Sequence, residues 1–90
     1  TPLLIACCNG NVETVKCLIK HGADVNKENR NGVLPLIISY KWGNFNTIKI
    51  LIEHGADVNK KDIHGNSLLR LATEYGDEEI IQFLMVRNNY

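Results

Sequence analysis

The stretch His21-Gly22-Ala23-Asp24-Val25-Asn26-Lys27 returns unchanged as His54-Gly55-Ala56-Asp57-Val58-Asn59-Lys60, and 54 − 21 = 33 residues. Other pairs hold the same spacing: Pro2-Leu3 with Pro35-Leu36, Gly10-Asn11 with Gly43-Asn44, Lys16 with Lys49, and Leu18-Ile19 with Leu51-Ile52. A third, worn copy keeps the register, with Leu69 below Leu36, Ala72 below Ser39, Gly76 below Gly43 and Leu84 below Leu51. A period of this length belongs to stacked supersecondary units, each too small to bury its own apolar face. The chain therefore has to fold by laying one copy on the next.

Within each period the punctuation is helical. Thr1 followed by Pro2 reads as an N-cap and a first-turn proline. The first helix carries Leu3, Leu4, Ala6 and Cys7 toward a core and stops at Asn9-Gly10. Asn11 caps a second helix bearing Val12, Val15, Leu18 and Ile19 at helical spacing, and Gly22 ends it. Residues 23–32, rich in Asp, Asn and Gly, form an extended turn or hairpin. The cycle then repeats: Pro35 to Trp42, a cap at Asn44, and a helix with Phe45, Ile48, Leu51 and Ile52 closed by Gly55. In the third copy Ser67 caps Leu68 to Tyr75, and Asp77 caps Glu78 to about Val86. Ala6, Ser39 and Ala72 share one register, where a small residue lets neighbouring helices approach closely.

Ninety residues suffice for one domain with a modest core, with repeats at about 1–28, 29–61 and 62–90. At 44% hydrophobic and 22% charged, the composition is that of a folded, water-exposed chain. Ten basic residues balance ten acidic ones, so no single-sign field exists to hold a nucleic acid. No apolar run is long enough to span a bilayer, which argues against a membrane partner. Cys7, Cys8 and Cys17 are an odd set in helical, apolar stretches, expected as reduced thiols packed like small hydrophobes. Reduced thiols imply a cytoplasmic or nuclear setting. The chain opens midway through a unit, so it is expected to be a piece of a longer array, monomeric within it, with at least one repeat upstream. Exposed Leu3, Leu4 and Val12 would then favour self-association of the isolated piece.

A 33-residue unit of turn plus two antiparallel helices, opened by Thr-Pro-Leu, resembles the ankyrin repeat. The residues that carry the resemblance are Thr1-Pro2-Leu3-Leu4-Ile5-Ala6, Gly10-Asn11, Gly22-Ala23-Asp24-Val25-Asn26 and their second copies. It implies an all-α solenoid of stacked antiparallel helix pairs joined by hairpin-like turns. The chain departs from the family pattern where a histidine is expected after Pro-Leu: Leu4, Ile37 and Arg70 stand there, removing a bond between first helix and turn. Leu34 replaces a threonine and Leu68 a proline. In the third copy Glu78 stands where Val12 and Phe45 do, Arg70 replaces Leu4 and Ile37, and Asn88-Asn89-Tyr90 replaces Gly-Ala-Asp. Such polar replacements suggest a C-terminal cap.

The resemblance further implies a non-enzymatic protein-interaction module, its partner lying across the concave surface of turn tips and first helices. Carried over by position, the partner-binding residues are Arg30, Asn31, Val33, Lys41, Trp42, Ile63, His64, Asn66, Glu74 and Tyr75. Trp42 and Tyr75 occupy the same place in successive units and are expected side by side, as interface anchors or as packing. Asn26 and Asn59 each follow a leucine by eight positions (Leu18, Leu51), which resembles the target of the asparaginyl hydroxylase that modifies ankyrin domains. The alternative function is a spacer within a longer array, with recognition or catalysis elsewhere in the parent chain. No cofactor is implied. Cys17 and His21 lie four apart on a helix face, but His54 repeats the histidine opposite Ile50, and no CxxC spacing supports a metal. The glycines belong to helix ends and turns rather than to a phosphate loop.

Overall fold

The computed structural model describes the backbone of residues 2–88 and the side chains of residues 2–86. Six helices follow one another: α1 (Pro2–Asn9), α2 (Val12–Lys20), α3 (Pro35–Lys41), α4 (Phe45–Glu53), α5 (Leu68–Glu74) and α6 (Glu78–Asn88). They form three consecutive pairs, with no strand among the described residues. The sequence-based helix borders agree to within two residues, Trp42 and Tyr75 being C-caps rather than last helical residues. The cap expected at Thr1 and the Asn89-Tyr90 part of the worn turn lie outside the described residues. Asn88 still belongs to helix, so α6 runs two residues past the position where α4 stops.

Each first helix packs on its own second helix and on the first helix of the next unit, α1 on α3 and α3 on α5, while α2 packs on α4. The result is two layers of helices advancing by one unit at a time. One hydrophobic cluster runs through all three units, from Cys7 and Val15 through Leu36, Ile48 and Leu51 to Leu68, Ala72 and Ile80. Leu34, Ile37 and Leu71 make a smaller second cluster between the second and third units. Between α4 and α6 the outer layer is joined by Phe45 and Phe83, edge to face with centroids 6.0 Å apart. The Lys49 ammonium sits 4.5 Å from the Phe45 centroid and 5.7 Å from that of Phe83, adding a cation–π contact to both rings.

Why the helices start and stop where they do is visible in the caps. Asn11, Ser67 and Asp77 accept the amides of Thr14, Arg70 and Ile80 at 3.1, 3.2 and 3.3 Å. Gly22 and Gly55 take φ of +97° and +95° just past the C-caps of α2 and α4, a conformation that costs a side-chain-bearing residue about 1 kcal/mol or more. His21 Nδ1 lies 2.8 Å from the Cys17 carbonyl, and His54 Nδ1 lies 3.1 Å from that of Ile50. A carbonyl only accepts, so Nδ1 carries the proton in each ring and satisfies a carbonyl of the last turn.

Asn44 departs from the expected role. It occupies the N-cap position of α4, yet its side chain caps nothing there. Its Nδ2 instead donates backward across the seam to the Cys7 carbonyl at 2.6 Å and the Cys8 carbonyl at 3.3 Å. The amide thus closes the unsatisfied end of α1 in the preceding unit. Gly10 makes room for it: a Cβ there would come 2.7 Å from Asn44 Oδ1.

Comparing burial at equivalent positions assigns a direction to each face. Leu3 and Leu36 are 5% and 4% exposed, but their counterpart Leu69 is 40% exposed, so this position faces the following unit. Ile5 is exposed while its counterpart Leu71 is buried, so that position faces the preceding one. Two expectations change accordingly. Leu3 and Leu4 are buried and Val12 half-buried, and it is Ile5 that lies open on the first unit. On the third unit Arg70 and Glu78 are exposed, and so are the apolar Leu69 and Met85.

The thiols also differ from the uniform packing expected of them. Cys7 is buried, Cys8 intermediate and Cys17 exposed. Burial pushes the Cys7 thiol pKa up; the Ser39 hydroxyl lies close enough to oppose this slightly, and Cys8 adds to it. Among the described residues no hydrogen bond of ordinary geometry reaches Ser39 Oγ or Thr47 Oγ1, both in fully buried residues. An unsatisfied buried hydroxyl costs about 1–3 kcal/mol. Ser39→Ala, which installs the residue already present at positions 6 and 72, should therefore stabilise the fold by about 1 kcal/mol, read as a raised midpoint in urea unfolding. A lowered midpoint would mean that the hydroxyl has a partner.

Candidate protein-interaction surface

The turns between units are built on side-chain acceptors. Asp24 Oδ1 accepts the Asn26 amide and Asp57 Oδ1 the Asn59 amide, each at 2.9 Å, so the repeated Asp-Val-Asn is an Asx turn. Further out, Asn29 Oδ1 accepts from Asn31 and Val33 at 2.8 and 3.0 Å. Its counterpart Asp62 accepts from His64 and Asn66, both at 2.9 Å. Asn29 and Asp62 were not singled out from the sequence, although their register (62 − 29 = 33) and their type carried the signal. They shape both hairpin tips and so aim Arg30, Asn31, Val33, Ile63, His64 and Asn66.

Asn26 does more than turn the chain. Its Nδ2 donates to the Gly55 carbonyl at 3.1 Å and its Oδ1 accepts the Asp57 amide at 2.7 Å, tying the first turn to the second. Lys60 Nζ adds a bond to the Asn26 carbonyl at 2.6 Å. The tips touch as well: Ile63 donates its amide to the Gly32 carbonyl at 3.3 Å, and a Cβ on Gly32 would stand 2.4 Å from that of Ile63. The histidine bond missing from the third unit has a partial substitute, since Arg70 Nη1 donates to the Gly65 carbonyl at 3.3 Å.

The ten expected partner-binding residues fall into two groups. Arg30, Asn31, Ile63 and His64 are exposed at the tips, with Val33 and Asn66 partly covered. Lys41, Trp42, Glu74 and Tyr75 are exposed at the far ends of α3 and α5. Seven helical residues separate the groups, about 10 Å at the usual rise per residue. The expected pairing of Trp42 with Tyr75 is corrected. Tyr75 stacks on Tyr40, with centroids 6.5 Å apart and planes inclined by 26°, and among the described residues no ring partner accompanies Trp42. Trp42 is nonetheless 63% and Tyr75 71% exposed. Tyr40 is a further residue that the sequence did not single out; it lacks an aromatic counterpart in Cys7 or Thr73.

Tyr40 and Tyr75 line a cleft of about 470 Å3 between the second and third units, with Phe45, Asp77 and Glu79 among its other walls. Burial, then the Asp77 carboxylate, pushes the Tyr40 hydroxyl pKa up, so the phenol stays protonated through neutral pH. Cys17 Sγ lies 3.8 Å from His21 Nδ1, but that nitrogen's proton is directed at a carbonyl. Among the described residues no group of three or more His, Cys, Asp or Glu could hold a metal ion. No helix of the described residues is long and apolar enough to cross a membrane.

Stacked antiparallel helix pairs joined by hairpin turns, advancing at a fixed 33-residue step, define a helical solenoid that presents tips and helix ends in series. The family model for ankyrin repeats (3 copies) matches residues 1–62, more than half of the chain, and the chain belongs to that family. Ankyrin repeats are in general protein-interaction modules and typically non-enzymatic. No curated protein matches the chain.

Asn26 offers a direct check on how the tips are held. Asn26→Ala strands the Gly55 carbonyl and the Asp57 amide and should cost about 1–2 kcal/mol, read as a lower urea midpoint. An unchanged midpoint would show that solvent serves these groups as well as the asparagine does.

Proposed function

We propose that these repeats are a non-catalytic docking module for another protein, binding it through the turn tips and the exposed ends of the first helices. The observation that carries this is Trp42, a large side chain left 63% exposed at the end of α3, with no ring against it among the described residues. Exposed tryptophan and tyrosine at fixed positions on a rigid frame are what interface anchors require, because little ordering entropy opposes their burial. Tyr75 and Ile63, exposed to a similar degree, extend the surface toward the next unit and toward the tips. Charge is mixed along it, Arg30 and Lys41 against Glu28 and Glu74, which suits a protein better than a nucleic acid. Free thiols at Cys7, Cys8 and Cys17 suit a reducing, cytoplasmic setting.

Asn59 is the better candidate for hydroxylation. It is exposed, whereas Asn26 is partly covered and holds the Gly55 and Asp57 backbone with both ends of its amide. In hydroxylase-expressing cells, peptide mass spectrometry should find the added oxygen on Asn59 in a larger fraction than on Asn26. Equal fractions would mean that the Asn26 bonds do not protect it.

Trp42→Ala tests the module directly. It should weaken the partner recovered by affinity capture at least about tenfold, the effect of truncating an interface anchor, while leaving helical circular dichroism unchanged. Retention of the partner at full strength would remove Trp42 from the interface and favour a spacer role for these units.

A further inference from the structure

The two seams of the molecule differ at the register position of Asn44, and a cleft lies beside the second. In the first seam Asn44 donates to the Cys7 and Cys8 carbonyls and fills the space over Gly10. Its counterpart in the second seam is Asp77 (77 − 44 = 33), and the counterparts of those carbonyls belong to Tyr40 and Lys41. An ionised carboxylate only accepts, so Asp77 cannot make the closing bonds. It serves the Ile80 amide instead, as an N-cap. Where the asparagine zips its seam, the aspartate leaves the cleft of about 470 Å3 faced by Tyr40, Tyr75 and Phe45, with Asp77, Glu79 and Lys41 on its polar side.

The chemistry of these walls selects an occupant. Two stacked tyrosines offer π-faces, two carboxylates offer acceptors, and two carboxylates against one ammonium leave the cleft net negative. A planar cation that both stacks and donates several hydrogen bonds in a fork fits all three properties. We propose that the cleft between the second and third units receives an arginine side chain of the partner protein, its guanidinium over the tyrosine pair and its N–H groups donating to Asp77 and Glu79. A lysine would supply the charge without the plane, and a neutral side chain would leave the net negative charge of the walls uncompensated, although Asp77 already accepts the Ile80 amide. Lys41, exposed on the same wall, opposes any cation and sets an upper limit on affinity.

The proposal rests on the module binding a protein, yet Trp42 does not line the cleft, so the two can fail separately. The test uses an acetyl-Gly-Arg-Gly-amide peptide, its citrulline analogue and its lysine analogue, titrated into the 15N-labelled chain. The arginine peptide should shift the amides of Tyr75, Asp77 and Ile80, with the citrulline and lysine forms binding about tenfold or more weakly. Asp77→Asn keeps an N-cap residue, gains the closing donor, and should abolish the arginine preference while raising the urea midpoint. Lys41→Ala should tighten arginine binding. Equal binding of arginine and citrulline, equal binding of arginine and lysine, or an arginine preference that survives Asp77→Asn would each overturn the assignment, whatever the Trp42 experiment shows.

Discussion

Everything in this molecule depends on the seam between one helix pair and the next. A single unit packs its two helices together but has an apolar stripe on each side with nothing of its own to cover it, so those stripes are buried only between units. The equivalent positions make this plain: Leu36 is dry because a third unit lies over it, and Leu69, the same residue one step on, is not. Directional bonds then fix how the units meet. Asn44 reaches back to the end of α1, and Asn26 reaches forward to Gly55 and Asp57, so the first seam is pinned on the helix-end side and on the turn side.

The second seam is held differently. It keeps the inner cluster of Ile37 and Leu71 and the edge-to-face pair of Phe45 and Phe83. It lacks the asparagine that would zip the helix ends, because the cap there is Asp77. Rigid packing on one side and a cleft on the other give a surface that is fixed in shape but not filled. An interaction module gains from that combination, since a partner enters a preformed space without having to order it. Of the exposed aromatic residues, Tyr75 lines this opening.

Much of the fold was legible in the sequence because the repeat supplied two or three witnesses to each position. Helix borders followed from Gly10, Gly43 and Gly76, from the prolines, and from caps that recur every 33 residues. What the repeat could not supply was the effect of its exceptions. Asn44 and Asp77 read alike as caps, yet one is a donor across the seam and the other cannot be, a distinction of single atoms. Tyr40 has no aromatic counterpart in the other units, so register offered no signal for it, and its stacking on Tyr75 redirected a pair that spacing had assigned to Trp42. The burial of Leu3 and Leu4 likewise depends on which side of a unit each faces, which periodicity alone leaves open.

The central claim is that three units too small to stand alone fold as one cooperative body. Native-state hydrogen exchange in rising urea reads this directly from the equivalent amides of Leu18, Leu51 and Leu84, each the seventh residue of a second helix. One shared opening free energy and one shared slope with denaturant, reached before the global transition, is the predicted result. Three separate isotherms, with the amide of any one unit exchanging by its own opening up to the transition, would contradict it.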